Sequence, residues 1–110
     1  MELITRKNNG ALIAAVKGRL DAVTAPEFDK MSKGWLESGD TRIIVDLNEL
    51  EYMSSAGLRS VLILARLVKA ADGKLFFTGL QGPVKGVFEM SGFYTILNIV
   101  DSESAALDKL

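Results

Sequence analysis

Hydrophobic residues are grouped along the chain in short runs that predict both strands and helices. The segments Glu2–Arg6 and Ala11–Val16 are typical of two strands, and the Asn8-Asn9-Gly10 sequence between them predicts a tight hairpin turn. The continuous β-branched run from Ile43 to Val45 predicts a central strand that is covered on both faces. Two further strands are expected at Lys74–Thr78 and Ile96–Val100.

Four helices are predicted between and after these strands. We expect the first to begin with Thr24 as its N-cap, Glu27 completing a capping box and Pro26 in the first turn. Gly39 would end this helix. Its core face is predicted from three residues at helical spacing, Phe28, Met31 and Trp35. The other helices are predicted at Ser55–Ala71 (followed by Asp72-Gly73), Pro83–Met90 and Ser102–Leu110.

The alternation of strands and helices after the hairpin predicts a single α/β domain over residues 1–110. A chain of 110 residues can form one hydrophobic core but not two. A hydrophobic content of 48% favours a compact domain over a disordered chain.

The composition favours a binding protein over an enzyme. Histidine and cysteine are both absent, which excludes disulfides, Ser–His and Cys–His nucleophiles and the ordinary zinc sites. A magnesium site of carboxylates alone remains open, but the acidic residues do not cluster in the sequence. We therefore expect no catalytic residue, no metal and no cofactor. A net charge of −1 provides no long-range attraction to nucleic acid. No apolar run, Val61–Ala65 included, is long enough to cross a bilayer, and the first residues lack the apolar segment of a signal peptide. No membrane insertion and a cytoplasmic location are expected.

Two serines, Ser54 and Ser55, lie where a strand and a short loop lead into the helix predicted at Ser55–Ala71. The N-terminus of a helix has unpaired N–H groups and a partial positive charge. A serine at this place can cap the helix, or it can carry a phosphate that these amides stabilise. The residues alone leave both interpretations open.

A helical wheel separates this predicted helix into a core face and an outward face. The core face comprises Gly57, Leu58, Val61, Leu64, Ala65 and Val68. The outward face comprises Ser55, Arg59, Leu62, Arg66 and Lys69, with Ile63 at its edge. Aliphatic side chains beside arginines favour a docking surface, although single apolar residues are also common on ordinary surfaces. We expect Leu62 and Ile63 to be exposed, and Val61, Ala65 and Val68 to be buried.

Three segments in consistent order resemble the STAS domain family. Tyr52–Arg59 (YMSSAGLR) is similar to the family's FMDSSGLG-like segment, and Gly18–Phe28 (GRLDAVTAPEF) is similar to its G-E-hydrophobic-D segment. Val84–Phe93 (VKGVFEMSGF) resembles the segment of its third helix. The resemblance covers nearly the whole chain and implies a mixed central sheet with helices packed mainly on one side.

This family includes the bacterial anti-sigma factor antagonists, and the resemblance implies the same function here. Such a protein binds a serine-kinase anti-sigma factor and releases a sigma factor. Ser55 occupies the column of the phosphorylated serine, while Ser54 stands where the family usually has Asp. Phosphorylation of Ser55 by the kinase would block binding, and a serine phosphatase would reverse it. The protein would be a monomer or a weak dimer.

The resemblance also implies partner contacts outside the helix. Asp21 matches a family acid that touches the partner, and Arg19 replaces the acid usual at its position. An aspartate at this place is also an ordinary turn residue. If Asp21 belongs to the interface, Asp21→Lys should weaken binding and leave the thermal midpoint nearly unchanged. The predicted partner-binding residues are Arg19, Asp21, Ser54, Ser55, Arg59, Leu62, Ile63 and Arg66.

Two other functions remain open for a domain of this family. One is a subunit of a membrane lipid-transport ABC complex, in which the outward helix face holds an ATPase permanently. The other is a sensor that binds a small ligand or nucleotide at the helix N-terminus. Phosphate-loop motifs are absent from the chain. The Ser54–Gly57 segment alone is only weak evidence for nucleotide binding.

Overall fold

A six-stranded mixed sheet forms the centre of the computed structural model, which describes all residues from 1 to 110. The strands are β1 (Glu2–Asn8), β2 (Ala11–Leu20), β3 (Arg42–Asp46), β4 (Leu50–Met53), β5 (Lys74–Thr78) and β6 (Ile99–Val100). Their order is β1-β2-β3-β5-β6, with β4 paired to β2 outside this path. Only the β1–β2 pair is antiparallel. The carboxyl ends of the parallel strands therefore meet at one edge of the sheet.

The long strand β2 pairs with two different neighbours. Its first half, Leu12–Ala15, pairs with β3, and its last residues, Gly18–Leu20, pair with β4. The register shifts between Gly18 and Arg19, and Gly18 has a φ of +88°, which favours glycine. This irregularity brings the end of β2 beside β4 and so beside the start of the helix that follows β4.

Four helices cover the sheet unequally. They are α1 (Ala25–Glu37), α2 (Ser55–Ala70), α3 (Gly82–Met90) and α4 (Glu103–Leu107). Residues of α1, α2 and α3 belong to the larger core cluster, which includes Phe28, Val61 and Phe88. The short α4 contributes Ala106 to a smaller cluster on the other face. The expected mixed sheet with helices mainly on one side is thus confirmed.

The hairpin and the central strand are confirmed. Asn8 pairs with Ala11, so the turn has two residues, and both Asn9 and Gly10 have positive φ (51° and 81°). The residues from Ile43 to Val45 have no exposed surface. Ile43 and Val45 belong to the larger core cluster with α1, α2 and α3, and Ile44 belongs to the smaller cluster with Ala106 of α4.

The predicted capping box of α1 is wrong. Thr24 precedes the helix, but its side chain makes no cap hydrogen bond. Its hydroxyl donates to the Arg19 carbonyl (2.9 Å) and accepts from the Asp21 N–H (3.0 Å), so the preceding turn uses it. Gly39 follows the end of α1 with a φ of +91°, as expected of a residue that ends a helix.

The remaining differences concern short elements. Strand β4 was not predicted, because only its first and last residues, Leu50 and Met53, are buried and no alternation results. The predicted strand at Ile96–Val100 is limited to β6, since Phe93–Thr95 forms a short 3-10 helix and Ile96 is 67% exposed. Helix α4 begins after Ser102, whose side chain caps it, and ends at Leu107.

Candidate functional site

The start of α2 assigns different places to the two neighbouring serines. Ser54 is the N-cap, and its hydroxyl accepts a hydrogen bond from the Gly57 N–H (3.3 Å). The Ser54 N–H donates to the Leu20 carbonyl (3.0 Å) at the end of β2. Ser55 is the first helical residue and is exposed. The Ser54 hydroxyl is therefore engaged in capping α2, whereas the Ser55 side chain faces solvent beside the positive end of the helix.

Gly57 allows α2 to begin in contact with β2. A Cβ atom at Gly57 would lie 2.3 Å from the Leu20 carbonyl oxygen and 3.0 Å from its carbonyl carbon. Only a residue without a side chain permits this approach. The position of Ser55 is consequently fixed relative to the loop that follows Leu20.

That loop, residues 21–24, is organised by Asp21. The Asp21 carboxylate accepts hydrogen bonds from the N–H groups of Val23 (3.0 Å) and Thr24 (3.2 Å) and from Arg19 Nε (3.4 Å). These donors, the Thr24 N–H foremost, lower the pKa of Asp21. Asp21 thus has the turn role that the sequence left open. Replacing it should lower stability, contrary to the expectation for a residue that serves only the interface.

We expect Asp21→Asn to lower the stability of the domain relative to wild type, and to lower it more at neutral pH than at low pH. The lowered pKa means that the Asp21 contribution is present above the unfolded value of 3.8 and is lost as the pH falls through the folded pKa. Thermal midpoints should therefore differ most at neutral pH and converge below 3.8. Glu89→Gln, which removes an exposed carboxylate on α3, is the control. A constant difference at all pH values would contradict this role.

Two exposed residues in and beside this loop, Val23 and Tyr52, were not predicted as site residues. The Arg19 guanidinium lies 4.2 Å from the centroid of the Tyr52 ring, within range of a cation–π interaction. Val23, at the tip of the loop, is 86% exposed. The sequence pattern could not locate Tyr52 because β4 itself was missed. Val23 lies in a turn, where no helix or strand periodicity indicates which side chains face outward.

A groove of about 500 Å³ lies between α1 and α2. From α2 it is lined by Ser55, Ala56, Arg59, Ser60 and Ile63, and from α1 and its preceding loop by Ala22, Ala25, Pro26 and Asp29. Asp29 and Ser60 were not predicted as site residues. Arg59 takes part in none of the chain's ion pairs, which join Arg6–Glu103, Lys7–Asp40, Lys17–Glu49 and Arg19–Asp21.

The outward face of α2 is only partly as predicted. Ser55, Arg59, Arg66 and Lys69 are exposed, and Ile63 is 36% exposed. Leu62 is half-buried, and neither Leu62 nor Arg66 lines the groove. On the core face Val61 and Val68 are buried as predicted. The prediction for Ala65 is wrong: it is half-buried, because it faces a second depression between α2 and the segment Ile96–Asn98.

Asp46 lies near the same sheet edge and orders its own loop. Its Oδ1 accepts hydrogen bonds from the backbone N–H (2.9 Å) and the side-chain Nδ2 (2.7 Å) of Asn48. No group of three or more acidic, histidine or cysteine side chains is placed to hold a metal ion. None of the helices has the length and apolar character needed to cross a membrane.

The STAS domain family model matches residues 2–106, and the chain belongs to this family. Among its relatives is BtrV of Bordetella bronchiseptica, assigned as an anti-sigma factor antagonist. The two are 36% identical over 106 residues, which cover 96% of this chain and 91% of BtrV. The relatives of this chain thus include anti-sigma factor antagonists.

Solved structures of such proteins have the same fold. An anti-sigma factor antagonist homologue of Thermotoga maritima superimposes with a TM-score of 0.91 at 18% identity, covering 97% of this chain and 92% of the other. The phosphorylated form of the Bacillus cell fate determinant SpoIIAA superimposes with a TM-score of 0.76 at 22% identity, covering 98% of each chain. At these identities the likeness establishes the fold.

Proposed function

We propose that this protein is a cytoplasmic anti-sigma factor antagonist that binds a serine-kinase anti-sigma factor and thereby releases a sigma factor. Binding ends when the kinase phosphorylates Ser55 and resumes when a serine phosphatase removes the phosphate. The domain itself catalyses nothing. The proposal is supported by its relatives of this class, one of which shares 36% of its residues with this chain.

The single observation that carries the proposal is the different use of the two serines. Ser54 is fixed by its cap to Gly57, whereas Ser55 is exposed at the first position of α2 and lines the groove towards α1. A kinase can reach an exposed hydroxyl without unfolding the helix. SpoIIAA, a protein of the same fold, has been solved in a phosphorylated form, so a domain of this fold can carry a phosphate.

The partner surface that we propose combines the groove with the loop beside it. Ser55, Arg59 and Ile63 line the groove, and the Arg19–Asp21 pair with exposed Val23 lies next to the start of α2. Ser54, Leu62 and Arg66 take supporting positions: Ser54 holds the helix end, while Leu62 and Arg66 extend the outward face of α2 beyond the groove.

The proposal is tested by incubating the domain with ATP and each serine-kinase anti-sigma factor encoded in the same genome. We expect one kinase to bind the unmodified domain and to label Ser55, as mapped by phosphopeptide analysis. Ser55→Ala should abolish labelling. Ser54→Ala should retain it, with a loss of stability of about 1 kcal/mol from the missing cap.

Other outcomes identify the other candidates. If labelling persists in Ser55→Ala and disappears in Ser54→Ala, the phosphorylated residue is Ser54, and the assignment of Ser55 is wrong. Stable binding to a transport ATPase, without labelling of either serine by any kinase, would favour the constitutive subunit of a lipid-transport complex. Binding of a nucleotide alone at the start of α2 would favour a ligand sensor.

A further inference from the structure

Asp29 has a carboxylate oxygen that the fold leaves without a partner. Its Oδ1 is buried and accepts no hydrogen bond. Asp29 lies in the second turn of α1 and lines the groove that Ser55 also lines. A buried carboxylate oxygen without a donor costs free energy, and an exception of this kind in a folded protein requires an explanation.

The surroundings of Asp29 define what could satisfy this oxygen. No basic group of the chain forms an ion pair with Asp29. Ala22, Ala25, Pro26 and Ile63 give the groove apolar walls, and Arg59, the basic residue in its lining, forms no ion pair with Asp29. A lysine or arginine side chain combines a methylene stem, which packs on apolar walls, with a cationic head that donates hydrogen bonds.

We propose that the groove between α1 and α2 receives a lysine or arginine side chain of the partner protein, with Asp29 as its counter-charge. This inference rests on the proposed function and names the chemistry of the partner's contact. The methylene stem lies against the walls of the groove, and the head donates to Asp29 Oδ1. A phosphate on Ser55 would stand in the same groove, so that the basic side chain is excluded from Asp29.

A fragment titration tests the groove without the partner. N-acetyl-arginine amide and N-acetyl-lysine amide are added to the isotope-labelled domain, with N-acetyl-norleucine amide as the uncharged analogue. We expect the two basic fragments to shift the amide resonances of Asp29, Ser55 and Ser60, and norleucine amide to leave them unchanged. The shifts should disappear in Asp29→Asn and remain in Glu37→Gln, which removes one exposed carboxylate at the other end of α1. Equal shifts in Asp29→Asn, or with norleucine amide, would overturn the proposal.

The same variants are then tested against the kinase identified by the labelling experiment. Asp29→Asn should weaken binding about 100-fold, because the partner's cation would lose its counter-charge in the groove. Its thermal midpoint should equal or exceed that of wild type, because the variant removes the charge from a side chain whose Oδ1 is buried without a donor. Glu37→Gln should change neither quantity. Weaker binding together with a lower midpoint in Asp29→Asn would indicate a structural role and overturn the inference.

The two proposals fail in different ways. If wild type binds the kinase and Asp29→Asn binds equally well, the inference about Asp29 is overturned while the proposed function stands. If wild type binds no serine-kinase anti-sigma factor, the proposed function fails, and the fragment titration still decides whether the groove accepts a basic side chain.

Discussion

Gly57→Ala is expected to destabilise the domain by about 3 kcal/mol, although alanine is the better helix former. The added Cβ would lie 2.3 Å from the Leu20 carbonyl oxygen and 3.0 Å from the Leu20 side-chain Cγ. Backbone atoms cannot yield as a flexible side chain can, so α2 must move away from β2. This movement would also strain the hydrogen bond from the Ser54 N–H to the Leu20 carbonyl. Urea unfolding followed by circular dichroism measures the effect.

Gly34→Ala is the matched control for this prediction. Gly34 lies inside α1, and a Cβ atom there would meet no atom within 4 Å. The substitution should therefore stabilise the domain by up to about 1 kcal/mol, as expected for glycine to alanine in a helix. The two variants make the same chemical change with opposite expected signs. A stabilising Gly57→Ala would mean that α2 is not held against the end of β2.

The hairpin, the central strand and α2 could be predicted because their signals are local. Asn9-Gly10 adopts the positive φ values that such a turn requires, and the apolar run at Ile43–Val45 needs no knowledge of its neighbours. The Asp72-Gly73 end of α2 was also predicted. Its detail was not: Asp72 adopts the left-handed conformation (φ 58°), and a Cβ at Gly73 would meet the Thr41 carbonyl at 2.2 Å.

The elements that were missed depend on contacts distant in sequence. Thr24 was expected to cap α1, but its hydroxyl is used by Arg19 and Asp21 of the preceding turn. Strand β4 exists because the end of β2 offers it an edge after the shift at Gly18. Neither fact can be obtained from local propensity, since each depends on how the chain returns to β2.

The candidate site shows the same division. The resemblance located Ser55, and the wheel located Arg59 and Ile63, because these residues lie on one helix. Asp29 lies on α1, and its place opposite Ser55 follows only from the packing of α1 against α2. The sequence could therefore indicate one wall of the groove but not the other. It could not foresee that a buried carboxylate oxygen stands there without a partner.

Phosphorylation of Ser55 is expected to weaken binding of the kinase by about 100-fold or more, equivalent to about 3 kcal/mol. A phosphate adds about −1.5 to −2 charges at neutral pH, and in a docked interface this charge would lose its water. In the free domain the phosphate is tolerated, because the N-terminus of α2 has no acidic residue in its first turn. The phosphorylated domain is prepared with the kinase and purified. Its affinity for the kinase is measured by calorimetric titration and compared with that of the unmodified domain.

Ser55→Glu separates this effect from a loss of folding. A carboxylate in the first turn of α2 favours the helix dipole, so the thermal midpoint should stay the same or rise slightly. Binding should nevertheless weaken, by less than with the phosphate, because a carboxylate has a smaller charge. Ser104→Glu, which adds the same charge at an exposed position of α4, should leave binding unchanged. Equal weakening of binding by Ser55→Glu and Ser104→Glu would indicate a general charge effect. A phosphorylated domain that binds the kinase as tightly as the unmodified one would contradict the switch.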